Sequence, residues 1–504
     1  MSSPRLLAGF ALVAFLYLAL VLTNVFTRAP WCDEGWFGNP AYNLAFKGFM
    51  GTTVLDPASS TWKSVNLTGV DRHTYWVMPL NLLANAAGFR IFGFSIFSMR
   101  LLSVFWGLIM LAAWGAILWK LSAPRPLVLL SVGLIAVDYH LLMQASDGRM
   151  DAMAVALGWS GIAAYLLLRE RRFLLAIALS CSLAAMAVFT HPNALVIAIL
   201  LVITALYFDR ARIRCRAMAI AALPFFAIAA AWCLYVAQSP ADFQAQFLGN
   251  AAGRGPTFTT PIAALSLEIT HRYMDSYGLA AWSSLTGRLN VIPLLMFLAA
   301  LVVCLCTPAI RRQPGYRLLL IWTLVVMSFL TELEGLKTHF YLIYVTPLYS
   351  VLLAVALAWM WTRLARWRWL LTAAILLFVG LQALRTTSGA WHNRRQLAYD
   401  PAVQYLRTHT DPKTFTMGGA GLAFGLGPDW NLLDDTRLGY NSGKRPKLVV
   451  IDPTWDDAIL MMQSNAPAIH SYLTRLLETE YREVYNHAGY RVLARLSAQE
   501  PVHD

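Results

Sequence analysis

Apolar runs recur along the chain at about residues 6–27, 97–119, 127–143, 151–168, 173–189, 192–208, 217–237, 291–307, 318–331, 340–361 and 369–385. A helix needs about 20 apolar residues to cross the hydrocarbon of a bilayer, so the pattern predicts eleven membrane spans. The short polar stretches between them are of two kinds. One set is basic: Lys120 with Arg125; Arg169, Arg171 and Arg172; Arg210, Arg212, Arg214 and Arg216; Arg311, Arg312 and Arg317; Arg363, Arg366 and Arg368. It alternates with a set poor in such charge, at 144–150, 190–193 and 332–339. The positive-inside rule puts the basic set, and the N-terminus with Arg5, in the cytoplasm. Eleven spans then place the C-terminus outside. Three longer segments face the same way: 28–96, 238–290 and 386–504. The apolar stretch Tyr75 to Phe94 is interrupted by Asn81, Asn85 and Gly88. It predicts juxtamembrane helices lying along the interface.

The tail beyond residue 385 loses its long apolar runs and gains Asp, Asn, His and Gly. Lys447 to Asp452 and Tyr490 to Ala494 read as strands. Asp456 to Glu478 reads as one helix with Asp456 and Asp457 in its first turn, where the helix dipole favours acids. The expected fold class is therefore mainly α. It comprises a polytopic domain, 1–385, with outer loops 28–96 and 238–290, and a small extracytoplasmic α/β domain, 386–504.

Composition agrees. Of 504 residues 58% are hydrophobic and 13% charged, and the mean hydropathy is +0.54, values of a membrane protein rather than a soluble domain. The net charge of +13 would suggest nucleic acid in a soluble protein. Here the basic loops account for much of it, so no nucleic-acid partner is expected. The six cysteines form neither a disulfide framework nor a metal-type spacing.

Candidate chemistry collects in the segments assigned outside. Asp33 and Glu34 follow directly on the first span, flanked by Trp31 and Trp36. An acid at a membrane edge is a functional candidate by default, the alternative being a helix-capping acid in a solvated loop. The 144–151 segment holds Asp147, Arg149 and Asp151; the acids, four apart, share a helix face if the following helix starts early. His191 is the one ionisable group in the turn Thr190-His-Pro-Asn193. Arg72, His73 and Tyr75 follow Asp71. Arg254 lies among glycines, which let backbone approach a ligand, and arginine pairs well with phosphate. His271 and Arg272 compete with it for that role. Lys337 and His339 line one more turn, beside Glu332 and Glu334. The candidate acid/base and anion-binding groups thus fall on one side, and the opposite turns carry mostly positive charge and proline. The pattern implies one polar cavity open to the outside.

The layout resembles the GT-C glycosyltransferase superfamily, most of all the branch of lipid A aminoarabinose transferases and protein O-mannosyltransferases. The likeness rests on Asp33-Glu34 after the first span and on Asp71-Arg-His-Thr-Tyr-Trp76 leading to Gly93-Phe-Ser-Ile-Phe-Ser-Met-Arg100. Arg149-Met-Asp151 opening a span, Thr190-His-Pro192 between spans and Thr338 to Pro347 complete it. It implies a sugar donor carried on polyprenyl phosphate and transfer to a lipid, glycan or protein acceptor at the outer face; the short, arginine-rich inner loops lead to the expectation of a bacterial inner membrane. By position, the resemblance makes Asp33 the general base, Asp151 the second acid, and cationic groups, Arg254 or Arg272 among them, the holders of the lipid phosphate. His191 stands where the lipid A transferases often have lysine. Some relatives bind a divalent metal, and no ligand set for one stands out here. The Trp-Trp-Asp motif of oligosaccharyltransferases is absent. The chemistry is consistent: the leaving phosphate needs a cation rather than an acid catalyst, and a carboxylate can take the acceptor proton. A transporter or flippase of lipid-linked sugar, or a non-catalytic binder of it, would also need a polar cavity. The paired acid in the first outer segment and the lack of internal repeats favour the transferase.

Overall fold

The computed structural model describes residues 4–58, 66–252, 260–279 and 285–496. Every predicted apolar run lies on helix. In chain order these helices, with two shorter ones between the first and second runs, are α1 (Pro4–Thr27), α2 (Cys32–Lys47), α3 (Pro79–Phe92), α4 (Ile96–Lys120), α5 (Arg125–Ala136), α6 (Tyr139–Ala145), α7 (Asp151–Leu168), α8 (Phe173–Val188), α9 (Leu195–Asp209), α10 (Cys215–Val236), α11 (Leu285–Cys306), α12 (Pro314–Glu332), α13 (Thr346–Arg363) and α14 (Arg368–Ser388). Among the described residues eight helices are long and apolar enough to cross a membrane, and α5 with α6, bent by 59°, would make a ninth. The chain is a multi-pass membrane protein.

Two runs expected to be continuous are broken. The 127–143 run bends between α5 and α6 because it contains Asp138. That carboxylate accepts the Leu141 backbone N–H at 3.1 Å and so caps a new helix. The 340–361 run divides into a 3-10 turn, His339–Tyr344, and α13, which has Pro347 in its first turn.

The described chain divides into two compact units. The first comprises Met1–Val25, Arg100–Leu234 and Arg254–Gly389; the second comprises Phe26–Met99, Tyr235–Gly253 and Ala390–Asp504. In the first unit Trp114, Trp159 and Trp322 form a buried aromatic column, with successive ring centroids 4.5 and 5.9 Å apart. A Cβ at Gly161 would lie 2.9 Å from the Ser180 carbonyl oxygen. The glycine lets α7 and α8 approach backbone to backbone, the usual means by which helices associate in lipid.

The second unit is built on a five-stranded mixed sheet. Its strands are β1 (Thr416–Gly418), β2 (Leu432–Leu433), β3 (Leu448–Ile451), β4 (Tyr481–His487) and β5 (Tyr490–Arg495), in the order β2-β1-β3-β5-β4. Strands β3 and β5 fall on the two predicted runs. β1 pairs in parallel with β2 and β3, and β5 is antiparallel to β3 and β4. The β4–β5 turn places Ala488 (φ 49°) and Gly489 (φ 86°) in the left-handed region, the geometry of a two-residue hairpin loop. The single helix expected over 456–478 is two, α16 (Pro453–Asn465) and α17 (Pro467–Glu480), preceded by α15 (Asp400–His409). Pro467 sits in the first turn of α17, where its missing N–H is harmless; inside one long helix it would break the ladder.

Helix α2 packs within the second unit against the loop after β1. A Cβ at Gly35 would lie 2.3 Å from the Ala420 carbonyl carbon. Gly35→Ala should therefore cost about 1–3 kcal/mol through overpacking. A lowered apparent unfolding midpoint of the purified protein is expected, whereas an unchanged midpoint would contradict this packing.

Candidate functional site

In the first unit, three short turns distant in sequence converge. Asp151 opens α7 and is fully buried. The Arg149 Nε donates to its Oδ2 at 2.9 Å, and the guanidinium lies 4.2 Å from the Phe340 ring centroid. His191 Nε2 stands 4.0 Å from Asp151 Oδ1. His191 Nδ1 accepts the Asn193 backbone N–H at 3.1 Å, which leaves the neutral ring's proton on Nε2, toward the carboxylate. The ring also meets Tyr341 at 5.2 Å and Tyr344 at 6.3 Å. Asp147 is buried as well, and the His339 ring lies tilted against Phe340 with centroids 4.1 Å apart. Asp151 Oδ1 makes no hydrogen bond among the described residues. Such an arrangement can present a guanidinium and phenol groups to an anion while a carboxylate holds the guanidinium in place and faces the imidazole N–H.

A second buried group in this unit joins a one-turn π-helix, Glu268–Tyr273, to the 333–338 turn. Arg272 pairs with Glu268 at 3.1 Å and with Glu334, and Lys337 Nζ lies 3.3 Å from Glu268. The Lys337 ammonium also donates to the Leu330 carbonyl at 2.8 Å and the Thr331 carbonyl at 2.5 Å. Burial pushes Glu268 up from the ordinary carboxylate range and Lys337 down from the ordinary ammonium range. Two acids thus balance two bases. Arg272 is completely buried, while His271 beside it is exposed. Arg254 lies outside the described residues.

In the second unit, Arg72 Nη2 and His73 Nδ1 lie 3.3 and 3.6 Å from Asp242 Oδ2. The His73 ring stacks on Tyr75 at 5.3 Å. Buried Gln246 reads the adjoining backbone, accepting the Tyr75 N–H at 2.8 Å and donating to the Thr68 and His73 carbonyls at 2.8 and 2.9 Å. Asp33 is the second residue of α2 and half-buried; Glu34 is fully buried and accepts the Trp31 backbone N–H at 3.2 Å. Two residues on, the Trp36 indole donates to Asp434 Oδ2 at 2.8 Å. Asp434 also accepts the Ala420 N–H at 2.9 Å and the Trp455 indole at 3.2 Å. Asp242, Gln246, Asp138, Glu268 and Asp434 were not singled out from sequence. Asp138, an acid inside an apolar run, and Glu268, four residues before Arg272, carried a local signal.

Among the described residues no group of three or more His, Cys, Asp or Glu side chains is placed to hold a metal ion.

With this geometry in hand, the comparisons define a class. Two structures of ArnT from Cupriavidus metallidurans superpose on 97% of this chain and 98% of their own. The one bound to undecaprenyl phosphate does so at a TM-score of 0.60 and 14% identity, and the apo form at 0.63 and 13%. The archaeal oligosaccharyltransferase AglB from Archaeoglobus fulgidus, in complex with an inhibitory peptide and a dolichol-phosphate, matches at 0.53 and 13% identity, over 99% of this chain and 75% of its own. No protein-family model and no curated protein sequence matches. The chain has the GT-C fold, that of the polytopic membrane proteins ArnT and AglB.

Burial raises the Asp434 carboxyl to about 7, against the lowering effect of its N–H donors. The folded protein then holds a proton that the unfolded chain releases near pH 4. Between about pH 4 and 7 the folded state binds more protons, so stability falls as pH rises, by at most about 1.4 kcal/mol per pH unit. Asp434→Asn should remove this contribution. The stability difference between wild type and variant should change with pH between about 4 and 7 and level off on either side; parallel curves in pH-dependent unfolding would count against it.

Proposed function

We propose that the protein is a glycosyltransferase that moves a sugar from a polyprenyl-phosphate carrier to a lipid, glycan or protein acceptor. The observation that carries this reading is the buried Arg149–Asp151–His191 group, in a fold shared with ArnT bound to undecaprenyl phosphate and AglB bound to dolichol-phosphate. A carrier with a long apolar tail stays in the bilayer, so its phosphate has to be met by cations set among membrane helices. The departing phosphate is already charged; cations and N–H donors stabilise it better than an acid catalyst does. Arg149 fills that role, oriented by Asp151, with His191 beside the pair. Arg272 and Lys337 are balanced by Glu268 and Glu334 and serve to fix the 333–338 turn. Asp33 is the proposed general base. Glu34 is committed to the cap of α2, while Asp33 is half-exposed in the first turn of the helix.

The positive-inside rule supports basic turns in the cytoplasm and residues beyond α14 outside, in a bacterial inner membrane. A reporter active only after export, fused after Gly389, should be active. Cytoplasmic activity of that fusion would reverse the topology.

Asp33→Asn keeps size and hydrogen bonding but removes basicity, and transfer from a labelled undecaprenyl-phosphate sugar should fall about 10²–10⁴-fold. Carrier binding should persist in the same samples, whereas Arg149→Ala should weaken it. Near-wild-type transfer by Asp33→Asn would move the base elsewhere. Transport of the carrier without transfer by the wild type would replace the transferase reading.

A further inference from the structure

The first unit has a groove of about 580 Å³ at the end where its basic turns meet, within the usual size range of ligand pockets. Its walls come from the N-terminal turns of α5, α12 and α14, the C-terminal turns of α13, and the short helix Pro308–Arg311. They are largely apolar, with Leu127, Leu130, Leu357 and Leu371 among them. At its rim the groove changes character. Arg363 lines it directly, and Arg311 and Arg312 fall between two lining residues, Ile310 and Gln313. All three arginines are exposed. Among the described residues their guanidinium groups form no hydrogen bond, ion pair or ring contact. The connecting turns 121–124, 307–313 and 364–367 contain no acidic residue. This contrasts with Arg149, Arg169 and Arg272 of the same unit, each matched by a carboxylate. The groove wall also carries a buried donor, the Trp359 indole N–H, that has no acceptor. Tyr316 and Trp361 complete it, side chains suited to the level of lipid headgroups.

We infer that this groove is a binding site for an anionic glycerophospholipid. One acyl chain lies along the apolar wall and the phosphate is held by Arg311, Arg312 and Arg363. Charge complementarity selects the occupant. An apolar slot alone would take any acyl chain, but one uncompensated guanidinium lining its mouth and two more in the adjoining turn favour a phosphate that carries net negative charge. Basic pockets between membrane helices at the positive end of a bundle are suited to such headgroups. The site is separate from the Arg149–Asp151–His191 group and does not depend on the proposed transfer reaction.

Native mass spectrometry of the full chain, with palmitoyl-oleoyl phosphatidylglycerol or phosphatidylcholine added, tests the inference. The wild type should retain the anionic lipid in preference to the zwitterionic one. Each arginine near an anionic surface is worth about fivefold in affinity, so Arg311→Ala with Arg312→Ala and Arg363→Ala should lower that preference between tenfold and about 100-fold. Ala358→Trp, which fills the groove and leaves the arginines in place, should also abolish it. Arg210→Ala with Arg214→Ala and Arg216→Ala, exposed basic residues elsewhere, should leave it intact. A preference that survives the first triple variant, or is lost equally in the Arg210 set, would overturn the site. So would displacement of phosphatidylglycerol by equimolar undecaprenyl phosphate, which would make the groove a carrier site instead.

Discussion

A charge taken out of water into a helix bundle costs several kcal/mol unless a partner and hydrogen bonds accompany it. The first unit is organised by that constraint. Asp209 accepts from the Tyr165 hydroxyl at 2.8 Å and from Arg169 at 2.9 Å, and Arg212 stands at 3.3 Å. Asp138 accepts from Thr346 at 2.9 Å and caps α6. Glu268, Arg272, Glu334 and Lys337 close on one another. In each case at least one partner comes from another helix or turn. The polar groups that cannot be left alone in an apolar interior therefore also decide which turns lie together, and apolar helix faces, which pack about equally well on lipid, do not have to.

The apolar runs were legible because a bilayer asks for one unmistakable property over about 20 residues. The acids of the short turns were legible for the complementary reason, since an ionisable group beside such runs is conspicuous. What stayed hidden was pairing. Arg272 and Lys337 read as spare cations because Glu268 and Glu334 lie 4 and 62 residues from Arg272, and no local pattern ties the two turns. Asp242 and Gln246 looked like ordinary loop residues, yet they carry the contacts of the 68–75 segment. In the tail, β3 announced itself by four consecutive apolar residues, whereas β1 and β2, of three and two residues, are strands only because a neighbour supplies their ladder. The break before Pro467 was visible in principle, since proline in the first turn of a helix marks a start.

The position of Asp33 illustrates how a local motif comes to depend on remote sequence. Helix α2 has 16 residues, one of them Pro40, and a helix of that length is marginal alone. Its N-terminal turn is fixed residue by residue. Glu34 returns to the Trp31 N–H, Gly35 lies against the Ala420 backbone, Trp36 bonds Asp434, and Gly38 meets the Phe424 ring. Three of these four contacts come from residues 385–398 positions later in the chain. Asp434 is itself held to the sheet by the Ala420 amide and to α16 by Trp455, so three elements of the tail converge on one carboxylate. Residues 34 to 36 are thereby engaged in packing and capping, and Asp33 is the half-exposed acid at the start of the turn. The C-terminal segment of the second unit is therefore part of what orients the proposed base. Loosening the Asp434 contacts would disturb Asp33 without touching it.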